Sequence, residues 1–356
     1  MDPDMRFWAG KRVCVTGGTG FLGWHLVQQL HALSARVRVF GLRPASASLQ
    51  ARLASLDCVY GDVRDPAAVR EAVRECQVVF HTAGTLAFWG PAVAKMHEIH
   101  SVGTQQIVNA LSAGARLVHT SSIVAVGASR RTKVLTEDSP YQLQRFKVGY
   151  VHAKKAAEEI ALGAAAQGKD VVCVNPGYLI GPEDYEGSVM GHFCLRFWKG
   201  KVPLVPPGGM SFVDVRDVAR GHLLAAERGQ AGRRYILAGE NMTMLEFAHL
   251  LAGVGGLSMG WRFGMPSWLQ MVIAWVAERR AAIVQREPYP ALQHARMNRY
   301  FWYYASERAR AELGYRTRTV RETLGDAHRW FCEQGQLKPA PVVASEKFDS
   351  PEQRAA

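Results

Sequence analysis

The sequence predicts an α/β protein: a Rossmann-type, doubly wound parallel sheet with a smaller, mainly helical C-terminal substrate-binding region. Three observations predict it. Short β-rich runs alternate with segments of helical apolar spacing through the first half, and a glycine-rich turn joins the first run to the first helix. After Gly177 the rhythm breaks into loops punctuated by Pro182, Pro203, Pro206 and Pro207.

The elements follow in order. Arg12 to Thr16 is a strand ending in Gly17-Gly-Thr-Gly20-Phe-Leu-Gly23, and Trp24 to Leu33 is the helix after it. Val37 to Phe40 and Asp57 to Tyr60 read as the second and third strands. Asp65 and Pro66 supply an N-cap and a first-turn proline for a helix over Ala67 to Cys76. Val78 to His81, Arg116 to Thr120 and Val171 to Asn175 are further strands, separated by helices around Ala92 to Ser112 and Tyr150 to Ala166. Helices recur from Met244, Pro266, Ser306 and Thr319. The expected division is a dinucleotide-binding unit at 1–178, with 211–240 returning to it, a substrate-binding region at 179–210 and 241–336, and a disordered tail at 338–356.

Composition narrows the class. At 356 residues, 48 % hydrophobic and 21 % charged, the chain is globular and long enough for a sizeable core. Six cysteines include no Cys-x-x-Cys pair, so no zinc ribbon, metal site or redox pair is indicated and a reducing, cytoplasmic compartment is expected. The first ten residues lack an apolar h-region, and the longest apolar stretch, Trp268 to Ala277, is too short to span a bilayer. The charge is unusual: 43 Lys+Arg against 31 Asp+Glu gives +12. No nucleic-acid recognition motif accompanies it, so nucleic acid is not the expected partner.

The glycine turn reads as a nucleotide clamp. Its glycines allow a tight turn and close approach to a pyrophosphate, and the amides from Gly17 and Gly20 through Phe21, Leu22 and Gly23 open a helix N-terminus that favours anions. An acid at the end of the second strand would grip the ribose 2′-hydroxyl of NAD. This strand has none and is followed by Arg43, which suits a 2′-phosphate, so NADP(H) is favoured over NAD(H). Asp62, next to Val63 at the end of the third strand, is an expected adenine contact or a cap on the following turn. Tyr150 and Lys154 stand one helical turn apart, a spacing at which a cation would lower the phenol toward the range of a general acid/base. Ser122 closes the fifth strand, where ligands bind in open α/β sheets.

With these residues in place the resemblance becomes specific. The glycine turn at 17 to 23, Gly-Asp-Val at 61 to 63, Ser121-Ser122, Tyr150 to Lys154, Asn175-Pro176 and Phe212-Val-Asp-Val-Arg-Asp-Val-Ala219 together resemble the extended short-chain dehydrogenase/reductase superfamily. Within it the chain is similar to the NAD-dependent epimerase/dehydratase group, on the branch with dihydroflavonol-4-reductase-like, 3β-hydroxysteroid dehydrogenase-like and hopanoid-associated epimerase-like members. That resemblance implies Tyr150 as acid/base, Lys154 on the nicotinamide ribose, Ser122 on the reacting oxygen, and Asn175, Pro176 and Gly177 lining the nicotinamide pocket. It also implies homodimers through the helices flanking the site.

Two positions depart from the family pattern. The usual bracing asparagine is His100, and the usual Ala-Ala after the fourth strand is Ala83-Gly84. Ser122 is followed by Ile123 rather than an acid, which argues against dehydration. The reading is hydride transfer between NADP(H) and a carbonyl or secondary alcohol, with a nucleotide-sugar epimerase holding tight NAD as the alternative. Five of nine tryptophans lie at Trp261 or beyond, and Trp268, Val272, Trp275 and Val276 share a helical face. Core packing is the first reading of that face, with a substrate lid or a membrane-surface helix behind it. From Arg262 to Lys338 there are 13 Lys+Arg against 7 Asp+Glu, which fits a sterol-like, isoprenoid or flavonoid-like substrate and peripheral contact with an anionic membrane.

Overall fold

The computed structural model describes residues 3–260 and 263–338. Trp261, Arg262 and the expected tail from 339 onward lie outside the described residues. The chain enters through α1 (Met5–Trp8) and then alternates β1 (Arg12–Thr16), α2 (Phe21–Ala32), β2 (Arg36–Gly41), α3 (Ala47–Leu53), β3 (Asp57–Tyr60), α4 (Pro66–Val73), β4 (Val78–His81), α5 (Ala92–Ala110) and β5 (Arg116–Thr120). It continues through β6 (Val134–Leu135), α6 (Gly149–Ala166), β7 (Val171–Pro176), β8 (Tyr178–Ile180), α7 (Val189–Trp198), β9 (Leu204–Val205), β10 (Gly209–Asp214), α8 (Val215–Arg228) and β11 (Arg234–Leu237). The last part holds β12 (Glu240–Thr243), α9 (Met244–Val254), β13 (Phe263–Gly264), α10 (Ser267–Val284), α11 (Leu292–Met297), β14 (Phe301–Tyr304) and α12 (Val320–Glu333).

The main sheet is seven-stranded and parallel, in the order β11-β7-β5-β4-β1-β2-β3. Its winding direction reverses between β1 and β4, and that switch point is where open α/β sheets open a crevice for ligands. Central strands such as β4 and β7 are buried at every residue, which is why they read as continuous apolar runs rather than alternating ones. The helices start where the sequence says. The Asp65 side chain accepts from the Ala67 amide at 2.8 Å, and Thr243/Glu246 and Thr319/Glu322 form capping boxes on α9 and α12.

Helices predominate beyond residue 240, as expected, but a second sheet also forms there. It runs β12-β10-β14-β6, with β8 pairing to β10. The return of the chain to the main sheet, expected over 211–240, is made by α8 and β11, while β10 just before them is the centre of the smaller sheet. β6, from the stretch assigned to the first unit, joins that sheet too. The helix expected from Ser306 includes a π-helical turn at Ala309–Leu313.

The C-terminal aromatics divide in two. Trp302, Trp330, Tyr303 and Tyr304 are core, as the first reading has it. Trp268, Val272, Trp275 and Val276 are not: they are exposed by 67, 51, 52 and 53 %. The reason is the orientation of α10, which turns Gln270, Ala274 and Ala281 inward and packs on α11. The small alanines allow the close approach, and the bulky residues are left outside. All six thiols are free.

Candidate active site

The turn after β1 is built on close backbone approach. Gly17 sits at φ +68°; a Cβ there would lie 2.7 Å from the Ala83 backbone, and one on Gly23 would lie 2.1 Å from the Gly17 carbonyl oxygen. Both positions exclude any side chain. Gly20 caps α2 without a side-chain bond, so the amides from Phe21 to Gly23 begin the helix with no side-chain acceptor. That arrangement, at the switch point, fits a dinucleotide pyrophosphate. Ala83 is brought against the turn. Val63 is not at the turn's surface but buried against α5, where a Cβ on Gly103 would lie 2.5 Å from it.

At the rim, the Arg43 guanidinium stacks over the Tyr60 ring at 4.5 Å, and no carboxylate among the described residues pairs with it. Arg38, by contrast, is paired with Asp57 at 2.8 Å. Asp62 accepts from the Arg64 amide at 2.9 Å and pairs with its guanidinium at 2.7 Å. These bonds hold its carboxyl below the usual range.

Ser122, Tyr150 and Lys154 meet where β5, β7 and α6 converge. Ser122 opens a 3-10 turn, its hydroxyl accepting from the Val124 amide at 3.4 Å. Burial pushes the Tyr150 phenol up to about 12, and a hydrogen bond with the Ser122 hydroxyl pulls it partly back. Lys154 donates from Nζ to the Thr120 carbonyl at 3.0 Å, and burial lowers it to about 8 against the opposing pull of Glu158. The expected lowering of the phenol by the Lys154 ammonium is therefore not found. The ammonium bonds a backbone carbonyl, and desolvation governs the phenol.

Glu158 was not singled out from the sequence, although it continues the Tyr150, Lys154 spacing by one more turn. It is fully buried; it accepts from Asn175 Nδ2 at 2.5 Å and from Arg234 Nη1 at 3.1 Å. Asn175 Nδ2 also donates to the Ser122 carbonyl at 3.0 Å, so the chain Arg234, Glu158, Asn175 fixes the backbone of Ser122. The Asn175 Oδ1 and Ser121 Oγ atoms are buried without partners, polar capacity that fits a ligand amide or hydroxyl. Pro176 ends β7, and the Gly177 amide donates to the Leu237 carbonyl at 3.0 Å.

Four buried histidines, His81, His100, His119 and His222, surround Lys154. Burial and the lysine charge lower all four, His81 and His100 to about 3 and His222 to about 4. All are neutral at working pH. His100 therefore donates from Nε2 to the Thr85 carbonyl at 2.9 Å and braces α5 against the loop after β4. Its ring occupies the space beside Gly84, where a Cβ would lie 2.5 Å from its Cε1, so the two positions that depart from the family pattern are in contact. On the substrate side Phe88 lies 6.3 Å from Tyr150 and 3.7 Å from His294, ring to ring. Tyr178, near enough to feel the Tyr150 charge, is raised by burial. Aromatic rings, those of Phe88 and His100 at 6.3 and 6.1 Å, thus flank Tyr150.

The Asp-Val-Arg-Asp motif lies away from the chemistry. Asp214 caps α8, Arg216 bridges it to Asp326 at 2.6 Å, and Asp217 holds Arg318 at 3.0 Å, so the motif ties β10 and α8 to α12.

A switch-point glycine turn beside a buried serine and lysine and a half-buried tyrosine defines an NAD(P)-dependent oxidoreductase of the extended short-chain dehydrogenase/reductase type. The comparisons agree. Residues 13–238 match the NAD dependent epimerase/dehydratase family, and the chain belongs to that family. It is 33 % identical over 343 residues (94 % of this chain, 99 % of the other) to a Synechocystis sp. protein carrying the name dihydroflavonol 4-reductase. It is 31 % identical over 329 residues (91 % and 99 %) to sterol demethylase protein B of Methylococcus capsulatus. The solved structure of gox2253 superposes with a TM-score of 0.79 at 28 % identity, covering 92 % of this chain and 100 % of that one.

Proposed function

We propose that this protein is an NADP(H)-dependent reductase of a carbonyl on a hydrophobic, sterol-, isoprenoid- or flavonoid-like substrate. The observation that carries the reading is the Tyr150 phenol beside the Ser122 hydroxyl, with the Phe88 ring 6.3 Å away. A bound reduced nicotinamide supplies the hydride. Ser122 and Tyr150 hydrogen-bond the substrate oxygen, and Tyr150 delivers its proton there as the alcohol forms. In this reading Lys154, which bonds the Thr120 carbonyl, holds the cofactor ribose, and the amides at the start of α2 hold the pyrophosphate. Arg43, which pairs with no carboxylate among the described residues, supports the 2′-phosphate form. Relatives named for sterol demethylation and for a farnesylated dihydroquinoline-oxide ketone support the substrate class.

The test follows oxidation of NADPH and NADH across sterol, isoprenoid and flavonoid ketones and nucleotide sugars. Tyr150→Phe is expected to lose at least about a hundredfold in kcat while NADPH still binds. Arg43→Ala is expected to weaken NADPH by about 10- to 100-fold and leave NADH unchanged. Undiminished turnover in Tyr150→Phe would overturn the mechanism, and tightly bound NAD with turnover of nucleotide sugars would overturn the reductase reading.

A further inference from the structure

We propose that α10 is a membrane-surface helix, lying in the plane of an anionic bilayer on the side of the molecule where α11 meets the catalytic helix. Among the described residues, half of the exposed large apolar side chains fall within 263–289. Along α10, Trp268, Val272, Trp275, Val276 and Ile283 recur at helical spacing, and Ile283 is 83 % exposed. Helices that pack on a core turn such residues inward. This one turns them out, leaving an exposed apolar surface, with Arg279 set within it, of the kind that marks an interaction site.

The charge around the patch selects the partner. Arg279, Arg280 and Arg286 are exposed along the second half of α10 and just beyond it. Arg279 stacks on Trp275, and Arg196 stacks on Tyr289, each at 5.2 Å. At the other end, the exposed Lys199 and Lys201 lead into β9, which pairs with β13 at the entry to α10. Of the two acids in this stretch, Glu278 is engaged, accepting from the Leu292 amide at 2.8 Å, which leaves Glu287. Indole rings with flanking arginines and lysines are what an interfacial helix presents to headgroups and upper acyl chains. Among the described residues no helix is long and apolar enough to cross a membrane, so the geometry is that of lying on the surface.

The patch is continuous with the chemistry. α10 packs on α11; there Gln293 accepts from the Gly149 amide at 2.7 Å at the start of the catalytic helix, and His294 meets Phe88, whose ring also faces Tyr150. The helix that would meet the bilayer is thus tied through α11 to the first turn of α6, which carries Tyr150. The purpose of this contact rests on the hydrophobic substrate proposed above, and the tests separate the two.

Full-length protein is to be sedimented with vesicles of phosphatidylcholine alone and of equal parts phosphatidylcholine and phosphatidylserine, at low and high salt. Binding to the anionic vesicles, weakened by salt, is expected, with a blue shift of tryptophan emission. A Trp268→Ser/Trp275→Ser variant should bind at least about tenfold more weakly while reducing a water-soluble ketone as the wild type does. No binding at low salt, or equal binding by the variant, overturns the proposal. A lipid-free dimer that the same variant dissociates also overturns it, by assigning the face to a second copy of this chain. Vesicle binding without any ketone turnover would leave the anchor standing and sink the reductase reading.

Discussion

The ring of His100 fills the volume that a side chain at position 84 would need, its Cε1 lying 2.5 Å from where a Cβ would fall. The ring is buried and tied to the Thr85 carbonyl, so it cannot swing aside without losing that bond. Gly84→Ala is therefore expected to break the brace between α5 and the loop after β4 and to destabilise the protein by about 1–3 kcal/mol. Adding His100→Asn, which shortens the side chain, should recover most of that loss. The pair is to be measured as a double-mutant cycle by urea unfolding. Additive effects would mean that the two positions are independent. Because a His100 lowered to about 3 stays neutral, the single variant His100→Asn should leave the pH dependence of turnover near neutrality unchanged.

At the scale of the element, α6 carries Tyr150, Lys154 and Glu158 on successive turns. The first two are recognisable in the sequence because their chemistry is. Glu158 is not, because a glutamate at that spacing looks like an exposed helix residue until the fold buries it against Asn175 and Arg234. Its charge opposes the desolvation that lowers Lys154 to about 8. Removing it must lower the lysine further, since the buried ammonium loses its supporting anion. If the Lys154 ammonium is needed to hold the cofactor, reductive kcat/KM falls as pH rises through the lysine pKa. Glu158→Gln is then expected to shift that alkaline decline below about 8, and Lys154→Arg, whose guanidinium stays charged, to abolish it. A decline at the same pH in all three proteins would place the titration elsewhere.

Across the whole molecule, the strands and helices of the main sheet are legible because burial on both faces writes them as apolar runs and caps mark the helix starts. The smaller sheet is not, since strands as short as β6 and β8 carry no period and exist only through pairing with β14 and β10. The outward face of α10 was legible as a stripe but not in its direction, which depends on what the helix packs against. The histidines were legible one at a time, and only the fold gathers four of them around Lys154. Their burial has a consequence for the molecule's stability. Each is neutral when folded, with a pKa lowered from about 6.5 by desolvation, and His25, His294 and His328 are lowered in the same sense. The unfolded chain binds protons at these sites as pH falls below about 6.5, and the folded chain does not until the pH nears 3 to 4 at His81, His100 and His222. Their stabilising effect is therefore full above pH 6.5 and lost progressively below it. Between pH 7 and 5.5, where most unfolded-state carboxylates remain ionised, His81, His100, His222 and His294 should make unfolding take up about one proton at pH 7 and three to four at pH 5.5, an average slope of roughly 3 kcal/mol per pH unit. Urea unfolding across that range measures the slope. Stability that stays flat from pH 7 to 5.5 would show that these rings charge inside the folded protein, and with it the assignment of His100 as a neutral brace would fall.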